Sequence, residues 1–150
     1  MLTAQKVDLR IMVRADLPQV LDIDAASFDN AWDKADYERI LGRLGTLAYV
    51  AELQGEIVGV MVFERQKKFF YIGNLAVRPD MRRRKIGWQL VRSLIPRLKP
   101  EDRNRLVAEV PETNLIAQIF FRDVGFVCVR TLPHFFEDTG EDGYRFVYRF

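Results

Sequence analysis

Three apolar runs follow one another between residues 46 and 77, and they constrain the fold more than any other feature of the sequence. The first two, TLAYVAEL and EIVGVMVFER, are joined by the turn QGE at 54–56, which predicts a tight antiparallel hairpin. The third, KFFYIGNLAV, follows the short polar segment RQKK. Strands joined by such short connections pair with each other, so we expect an antiparallel arrangement at the centre of a sheet.

One strand and two helices are predicted ahead of these runs. Leu9, Ile11 and Val13 alternate with other side chains, as in a strand with one buried face. Asp16 is placed to cap a helix that has Pro18 in its first turn. A second short helix is predicted across residues 34–43.

A helix predicted over residues 86–98 connects the third run to a strand at 105–110, and this order requires a parallel crossover. Pro96 is expected to bend that helix or end it early. A helix at 114–124, closed by Gly125, and two strands in GFVCVRTL and GYRFVYRF complete the order βααβββαβαββ. The predicted fold is therefore α/β (α+β), with a mixed, mostly antiparallel sheet and helices on both faces.

Composition favours one soluble domain covering residues 1–150. The chain is 49% hydrophobic and 29% charged and is long enough to bury one core. No secretory leader is visible and no apolar run approaches the roughly 20 residues of a membrane span, so a cytoplasmic protein with no membrane partner is expected. Cys128, the only cysteine, excludes an intrachain disulfide and a cysteine metal cluster, and its apolar neighbours indicate a core position. No metal site is predicted.

Four consecutive cations, Arg82, Arg83, Arg84 and Lys85, lie between the third run and the following helix. The remaining 19 of the 23 basic side chains are fewer than the 21 acidic ones, so the basic character is local, which disfavours a nucleic-acid partner. A loop that enters a helix N-terminus presents free backbone N–H groups to phosphate, and arginine adds bidentate contacts. Gly87 would allow the backbone to approach closely. The alternative is a solvated basic turn.

The stretch AVRPDMRRRKIGWQLV resembles motif A of the Gcn5-related N-acetyltransferases (GNAT), in which V-x-P leads into (Q/R)-x-x-G-x-(G/A) and a helix. A second stretch, VAEVPETNLIAQIFFRDVGF, resembles the other signature of the family, and the element order matches along nearly the whole chain. SFDNAW and PHFFEDTGEDGYRFVYRF are similar to the ribosomal-protein alanine and protein N-terminal acetyltransferases. The resemblance implies the acetyltransferase fold and direct, acetyl-CoA-dependent transfer of an acetyl group to a primary amine, preferably a protein or peptide N-terminus.

The resemblance also implies which residues bind coenzyme A. They are Leu75, Ala76, Val77, Arg82, Arg83, Arg84, Lys85, Ile86, Gly87, Trp88, Asn114 and Phe121. Residues 75–77 are expected to act through backbone groups, and Asn114 either contacts the cofactor or caps a helix. Lys85 departs from the family pattern because it stands at a glycine position. Phe121 stands where the family has a tyrosine proton donor, so the donor is absent, replaced by Tyr144 or Tyr148, or supplied by water.

Acetyl transfer to an amine requires a base that takes a proton from the ammonium group. Glu109 lies in RLVAEV, where Leu106, Ala108 and Val110 fill one face of the strand and Val107 and Glu109 the other. A carboxylate in a central strand is costly to bury unless it is paired or used. Glu109 is therefore the candidate base, in agreement with the resemblance, and a structural ion pair is the alternative.

Aromatic side chains are the candidates for binding the acceptor amine. Phe28, Trp32, His134 and Phe135 are predicted to contact it, with burial in the core as the alternative for the large apolar rings. Two other functions stay open: acetylation of a small-molecule amine, and a module that binds acyl-CoA with little catalysis. A nucleic-acid-binding domain is the third and least favoured. The oligomeric state is not determined by the sequence.

Overall fold

The computed structural model describes residues 4–150, which form a seven-stranded sheet and four α-helices. The strands are β1 (Asp8–Ile11), β2 (Thr46–Leu53), β3 (Glu56–Arg65), β4 (Phe69–Val77), β5 (Arg105–Pro111), β6 (Val127–Phe136) and β7 (Glu141–Arg149). The helices are α1 (Leu17–Ser27), α2 (Lys34–Leu41), α3 (Ile86–Arg92) and α4 (Leu115–Val124). This order confirms the predicted βααβββαβαββ. Within the described chain, no helix combines the length and the apolar character of a membrane span.

The strands follow the spatial order β1-β2-β3-β4-β5-β7-β6. Only the β4–β5 pair is parallel in the described sheet, as the crossover through α3 requires, and the other pairs are antiparallel. The β2–β3 turn has positive φ angles at Gln54 (50°) and Gly55 (81°), which suits a tight hairpin. The mixed, mostly antiparallel sheet predicted from the sequence is therefore confirmed.

Two helical layers cover the sheet unequally. On one face, α3 and α4 pack over a large core that includes Leu106, Ala108 and Val110 of β5. On the other face, α1 and α2 pack over a smaller cluster whose strand residues all come from β2, β3 and β4. The second layer therefore leaves β5, β7 and β6 uncovered on that face.

β4 separates from β5 halfway along its length. Their pairing runs from Phe69 with Arg105 to Ile72 with Ala108 and then stops, although both strands continue. At the same point β4 contains a bulge, because Val62 of β3 lies opposite Asn74 whereas Phe63 lies opposite Ile72. The extra residue bends the strand. The last residues of the two strands are therefore not paired with each other, and we call this unpaired region the β4–β5 gap.

Two helix predictions need revision in detail. Asp16 precedes α1, but its carboxylate accepts hydrogen bonds from the Arg10 guanidinium at 2.7 and 2.8 Å and from the Val13 N–H at 2.8 Å, and none from α1. The helix predicted to reach residue 98 ends at Arg92, because Pro96 has no N–H to donate to the Arg92 carbonyl. A short 3₁₀ turn at Ile95–Arg97 follows.

The last hairpin differs more from the prediction. β6 continues to Phe136, past Leu132 where the predicted strand GFVCVRTL ends, and β7 begins at Glu141, two residues before the predicted strand GYRFVYRF. Cys128 is exposed, and its predicted core position is wrong. Its strand is at the edge of the sheet, where Val127 and Val129 are also exposed. Apolar composition alone could not reveal that this strand has a neighbour on one side only.

Candidate active site

The β4–β5 gap presents one row of backbone groups without a strand partner. Residues 74–77 of β4 pair with β3 on one edge, but no described strand pairs with their other edge. Unpaired backbone N–H and C=O groups need hydrogen-bond partners. The predicted cofactor residues Leu75, Ala76 and Val77 are therefore placed to bind a ligand through their backbone, while the side chain of Ala76 is buried in the core.

The cationic loop follows the end of β4 that borders this gap. A 3₁₀ turn at Pro79–Met81 ends β4, and α3 begins at Ile86. Arg83 and Lys85 have left-handed backbones, with φ of 62° and 61°. This conformation costs a residue with a side chain roughly 1–2 kcal/mol and favours glycine. Lys85, which stands at a glycine position of the motif, therefore adopts a backbone conformation that favours glycine, at a cost in strain.

The side chains of the loop have distinct environments. Arg82 turns back to donate to the Val77 carbonyl (3.1 Å) and to Ser27 Oγ (3.0 Å). Lys85 Nζ lies 5.1 Å from the centroid of the Trp88 ring, a cation–π contact. Arg84 Nε is buried and has no hydrogen-bond partner among residues 4–150. A buried N–H without an acceptor is costly, so this atom is suited to an oxygen of an anionic ligand.

The remaining loop residues contribute mainly to packing. Ile86 is buried in the core, and Trp88 packs against it. A Cβ atom on Gly87 would lie 3.3 Å from the Phe120 ring and 3.6 Å from Val77. The small size of Gly87 therefore suits the close packing of α3 against Phe120 of α4, whatever ligand the loop holds.

Two other predicted cofactor residues have clear structural roles. Asn114 Oδ1 accepts a hydrogen bond from the Ala117 N–H at 3.1 Å, so the helix-cap alternative is confirmed. Phe121 is 6% exposed and packs against Phe126 and Phe146.

Neither candidate replacement for the missing tyrosine lies on the same face as Glu109. Tyr144 and Tyr148 pack against the core beneath α4, and they lie opposite Val110 and Leu106 of β5. Successive side chains of a strand point to opposite faces, so Glu109 points away from this core. The tyrosine that lines the same groove as Glu109 is Tyr71 of β4.

Glu109 has two polar neighbours. Arg145 lies opposite it on β7 and donates to Oε2 from Nε (3.1 Å) and Nη2 (2.7 Å). The Glu109 side chain is 7% exposed. Tyr71 lines the same groove as Glu109, and burial together with this carboxylate raises the pKa of Tyr71. Tyr71 therefore stays protonated beside the carboxylate, and Arg145 orients the carboxylate from β7.

The Glu109 side chain also lines a groove in the uncovered face of the sheet. The groove has a volume of 450 Å³, and we call it the β5–β7 groove. Its lining includes Tyr71, Arg105, Val107, Glu109, Arg145 and Arg149. Sequence reasoning identified Glu109 but missed its partners, because the pairing register of β4, β5 and β7 decides which side chains meet.

The four predicted acceptor residues do not line this groove. Phe28, at the end of α1, is 39% exposed, and Trp32 packs edge-on against Tyr37 at 5.4 Å. At the far end of β6, the His134 N–H donates to Asp142 at 2.9 Å. Phe135 packs over Gly143 and Phe136. Phe28 and Trp32 thus follow α1, whereas His134 and Phe135 belong to β6.

A buried carboxylate beside the gap was also missed. Asp24 of α1 is fully buried and accepts hydrogen bonds from the Tyr37 hydroxyl and from Asn74 Nδ2, the latter at 3.1 and 3.2 Å. Burial raises the pKa of Asp24, although both hydrogen bonds oppose the shift. This network connects both helices of the smaller layer to the part of β4 that borders the gap.

The chain matches a known protein family. Residues 17–126 match the sequence model described as the acetyltransferase (GNAT) family. A Bacillus subtilis (strain 168) protein, provisionally named a ribosomal protein bS18-alanine N-acetyltransferase, is 29% identical over 138 residues, 91% of each chain.

Two crystal structures are similar in fold. The ribosomal-protein-S18-alanine N-acetyltransferase of Escherichia coli has a TM-score of 0.82 at 19% identity, covering 96% of this chain and 94% of that one. NAA60 of Arabidopsis thaliana in complex with acetyl-CoA also gives 0.82, at 18% identity over 97% and 100%. These likenesses confirm the fold predicted from the resemblance.

Proposed function

Because the chain belongs to the acetyltransferase (GNAT) family, we propose that it transfers an acetyl group from acetyl-CoA to the N-terminal α-amine of a protein or peptide. The names of the Bacillus subtilis relative and the Escherichia coli neighbour support a protein acceptor. The open shape of the β5–β7 groove also suits an extended chain better than a small amine. We place the reaction in the cytoplasm, where acetyl-CoA and unmodified N-termini meet.

The observation that carries this proposal is the β4–β5 gap, because the end of β4 that borders it leads directly into the cationic loop. Residues 75–77 would bind the cofactor through backbone groups on the edge of β4 that has no strand partner, and the loop would hold its phosphates. The buried Arg84 Nε fits this assignment because it lacks an acceptor among residues 4–150. When bound, acetyl-CoA supplies an acetyl group activated as a thioester.

The chemical role assigned to this chain's own residues is proton removal. The acceptor amine must lose a proton before it can attack, and we assign that proton to Glu109, directly or through a water molecule. Arg145 holds the carboxylate in one orientation, and the protonated Tyr71 lies beside it. Phe121 has no hydroxyl group, so we assign protonation of the leaving group to solvent. Direct transfer needs no nucleophilic side chain.

The substitution Glu109→Gln tests this assignment. Gln keeps the shape of the side chain but cannot accept a proton, so turnover at neutral pH should fall about 100-fold. Acetyl-CoA affinity, measured by calorimetry, should not change because Glu109 lies outside the cationic loop. Glu38→Gln, at an exposed carboxylate of α2 outside the groove, is the matched control. Unchanged turnover would remove Glu109 as the base.

The same titrations distinguish the alternative functions. Acetyl-CoA binding without acetylation of any peptide or small amine would favour a binding module. Absence of cofactor binding together with salt-sensitive binding of a short DNA duplex would contradict the acetyltransferase assignment. A panel of peptides that differ in the first residue would identify the preferred acceptor.

A further inference from the structure

We propose that Arg105 and Arg149 form a subsite for an acidic side chain of the acceptor polypeptide, about four residues beyond its N-terminal amine. The inference rests on the proposed function only for the position of the amine at Glu109. It concerns the opposite end of the β5–β7 groove, which the transfer reaction itself does not use.

The first observation is an uncompensated pair of charges. Arg105 and Arg149 lie directly opposite each other on β5 and β7. Like charges in that position destabilise a sheet. Within residues 4–150 neither guanidinium has a carboxylate within ion-pair distance, whereas Arg145, at the other end of the groove, is paired with Glu109. A carboxylate from a ligand would relieve the repulsion.

The second observation is that Arg105 is held in place. Its guanidinium lies 5.4 Å from the centroid of the Phe69 ring, and Nη1 donates to Asn104 Oδ1 at 2.9 Å. A positioned guanidinium loses less entropy on binding a carboxylate than a mobile one. The Asn104 oxygen removes one donor without neutralising the charge.

The surroundings of this end are basic as well. The Lys68 carbonyl accepts from the Asn104 N–H at 3.0 Å, and Arg103 Nε donates to the Gln66 carbonyl at 2.6 Å, so the β3–β4 turn lies beside the start of β5. Residues 64–68, 99–105 and 149 therefore bring together three carboxylates, Glu64, Glu101 and Asp102, and seven cations, Arg65, Lys67, Lys68, Lys99, Arg103, Arg105 and Arg149. The local excess of positive charge favours an acidic segment.

The spacing identifies the occupant as a polypeptide. Glu109 and Arg105 line the same groove and are four residues apart on one strand, a distance of about 13 Å. An extended acceptor advances by about 3.3 Å per residue, so its fourth or fifth residue would reach the two arginines. A small amine is too short to occupy both ends. The groove is accessible because α1 and α2 cover only β2, β3 and β4.

Binding of labelled peptides tests the proposal. Three peptides share their first three residues and carry Glu, Gln or Lys at positions four and five, with a fluorophore at the C-terminus. Fluorescence anisotropy in the presence of coenzyme A should give about tenfold tighter binding for the Glu peptide than for the Lys peptide, since two partly exposed ion pairs contribute modestly. The preference should weaken as salt concentration increases.

Charge reversal identifies the residues responsible. Arg105→Glu combined with Arg149→Glu should abolish or invert the preference, and Arg149→Glu alone should reduce it. Arg122→Glu, on the exposed side of α4, makes a charge change of the same size away from the groove and should preserve the preference. Thermal unfolding of each variant verifies that it is folded.

Three results would overturn the proposal: no binding of any peptide, equal binding of the Glu and Lys peptides, or a preference that survives the double variant. Equal displacement of all peptides by a short single-stranded RNA, without a preference for Glu, would indicate a nucleic-acid surface instead. Acetylation of the same peptides, followed by mass spectrometry, tests the proposed function separately. Selective binding without acetylation would contradict acetyl transfer to peptides while supporting the subsite.

Discussion

At the scale of single residues, the cationic loop combines charge with backbone strain. Arg83 and Lys85 both have left-handed backbones, and such conformations cluster at binding sites because the surrounding structure must enforce them. Lys85 adds a cation–π contact with Trp88 to this strained position. The chain therefore keeps a glycine-like turn and gains a positive charge beside the proposed phosphate site.

Replacing Lys85 by glycine and by alanine separates these effects. Both variants lose the contact with Trp88, but only glycine relieves the left-handed strain. Lys85→Gly should therefore be more stable than Lys85→Ala by about 1 kcal/mol in free energy of unfolding, measured by urea denaturation. The same pair at Lys34, in the first turn of α2, should show the opposite order because alanine favours a helix. Equal stabilities at Lys85 would contradict the strain assigned to it.

The proposed base, Glu109, shows which features of a site can be predicted from the sequence. Glu109 was predicted correctly to point away from the apolar face of its strand, because alternation within one strand is visible in the sequence. Its contacts with Arg145 and Tyr71 were not predicted, since they depend on the register between strands that are distant in the chain. Glu109 therefore forms the ion pair that was considered as the alternative, and the same carboxylate is the proposed base.

At the scale of elements, the position of α3 depends on a close approach to β3. A Cβ atom on Gly59 would lie 3.1 Å from Ile86 Cγ2 and 3.2 Å from Leu90 Cδ1. Glycine at this position allows the helix to lie against the sheet. The cationic loop leads directly into α3. This contact between Gly59 and α3 therefore also helps to fix the position of the loop relative to the β4–β5 gap.

The substitution Gly59→Ala tests the close approach. The added methyl group must displace Ile86 or Leu90, so the free energy of unfolding should fall by about 1–3 kcal/mol. Acetyl-CoA binding should weaken as well, because the start of α3 moves with its loop. Gly73→Ala is a suitable stability control, since the nearest atoms to its Cβ are 3.8 Å away. A stable Gly59→Ala variant with normal acetyl-CoA affinity would show that α3 adjusts freely.

The predicted element boundaries agree with the structure where local chemistry determines them. The predicted ranges of β2 and β3 agree with the structure because a tight turn at Gln54 and Gly55 limits both strands. Pro96 ended α3 early, as its missing N–H required. β6 was predicted less well, since an edge strand has little burial from which to infer its length, and the exposed Cys128 has the same cause.

At the scale of the whole molecule, the unequal helical layers create the groove. The layer formed by α1 and α2 covers three strands and leaves the face of β5, β7 and β6 open. Asp24 connects this layer to the sheet through Tyr37 and Asn74, next to the point where β4 leaves β5. Hydrogen bonds thus anchor α1 and α2 to β4 beside the β4–β5 gap.

The anchor should be visible in the pH dependence of stability. Burial raises the pKa of Asp24 above its ordinary value of 3.8, so the folded protein holds this proton more firmly than the unfolded chain. The stabilising contribution of Asp24 is therefore fully present below the unfolded pKa and is lost as pH rises through the folded pKa. Asp24→Asn removes the titrating group and should remove this part of the pH dependence.

The measurement is the difference in free energy of unfolding between the natural protein and Asp24→Asn, taken by urea denaturation from about pH 4 to about pH 7. This difference should shift against the natural protein as pH rises, because the buried carboxylate becomes charged. Asp22→Asn, at an exposed position of the same helix, is the matched control for the loss of an acidic group. A difference that stays constant, or that shifts in favour of the natural protein with rising pH, would show that burial does not penalise the Asp24 carboxylate. The hydrogen bonds from Tyr37 and Asn74 would then fully compensate its charge, and the anchor would hold equally well in both protonation states.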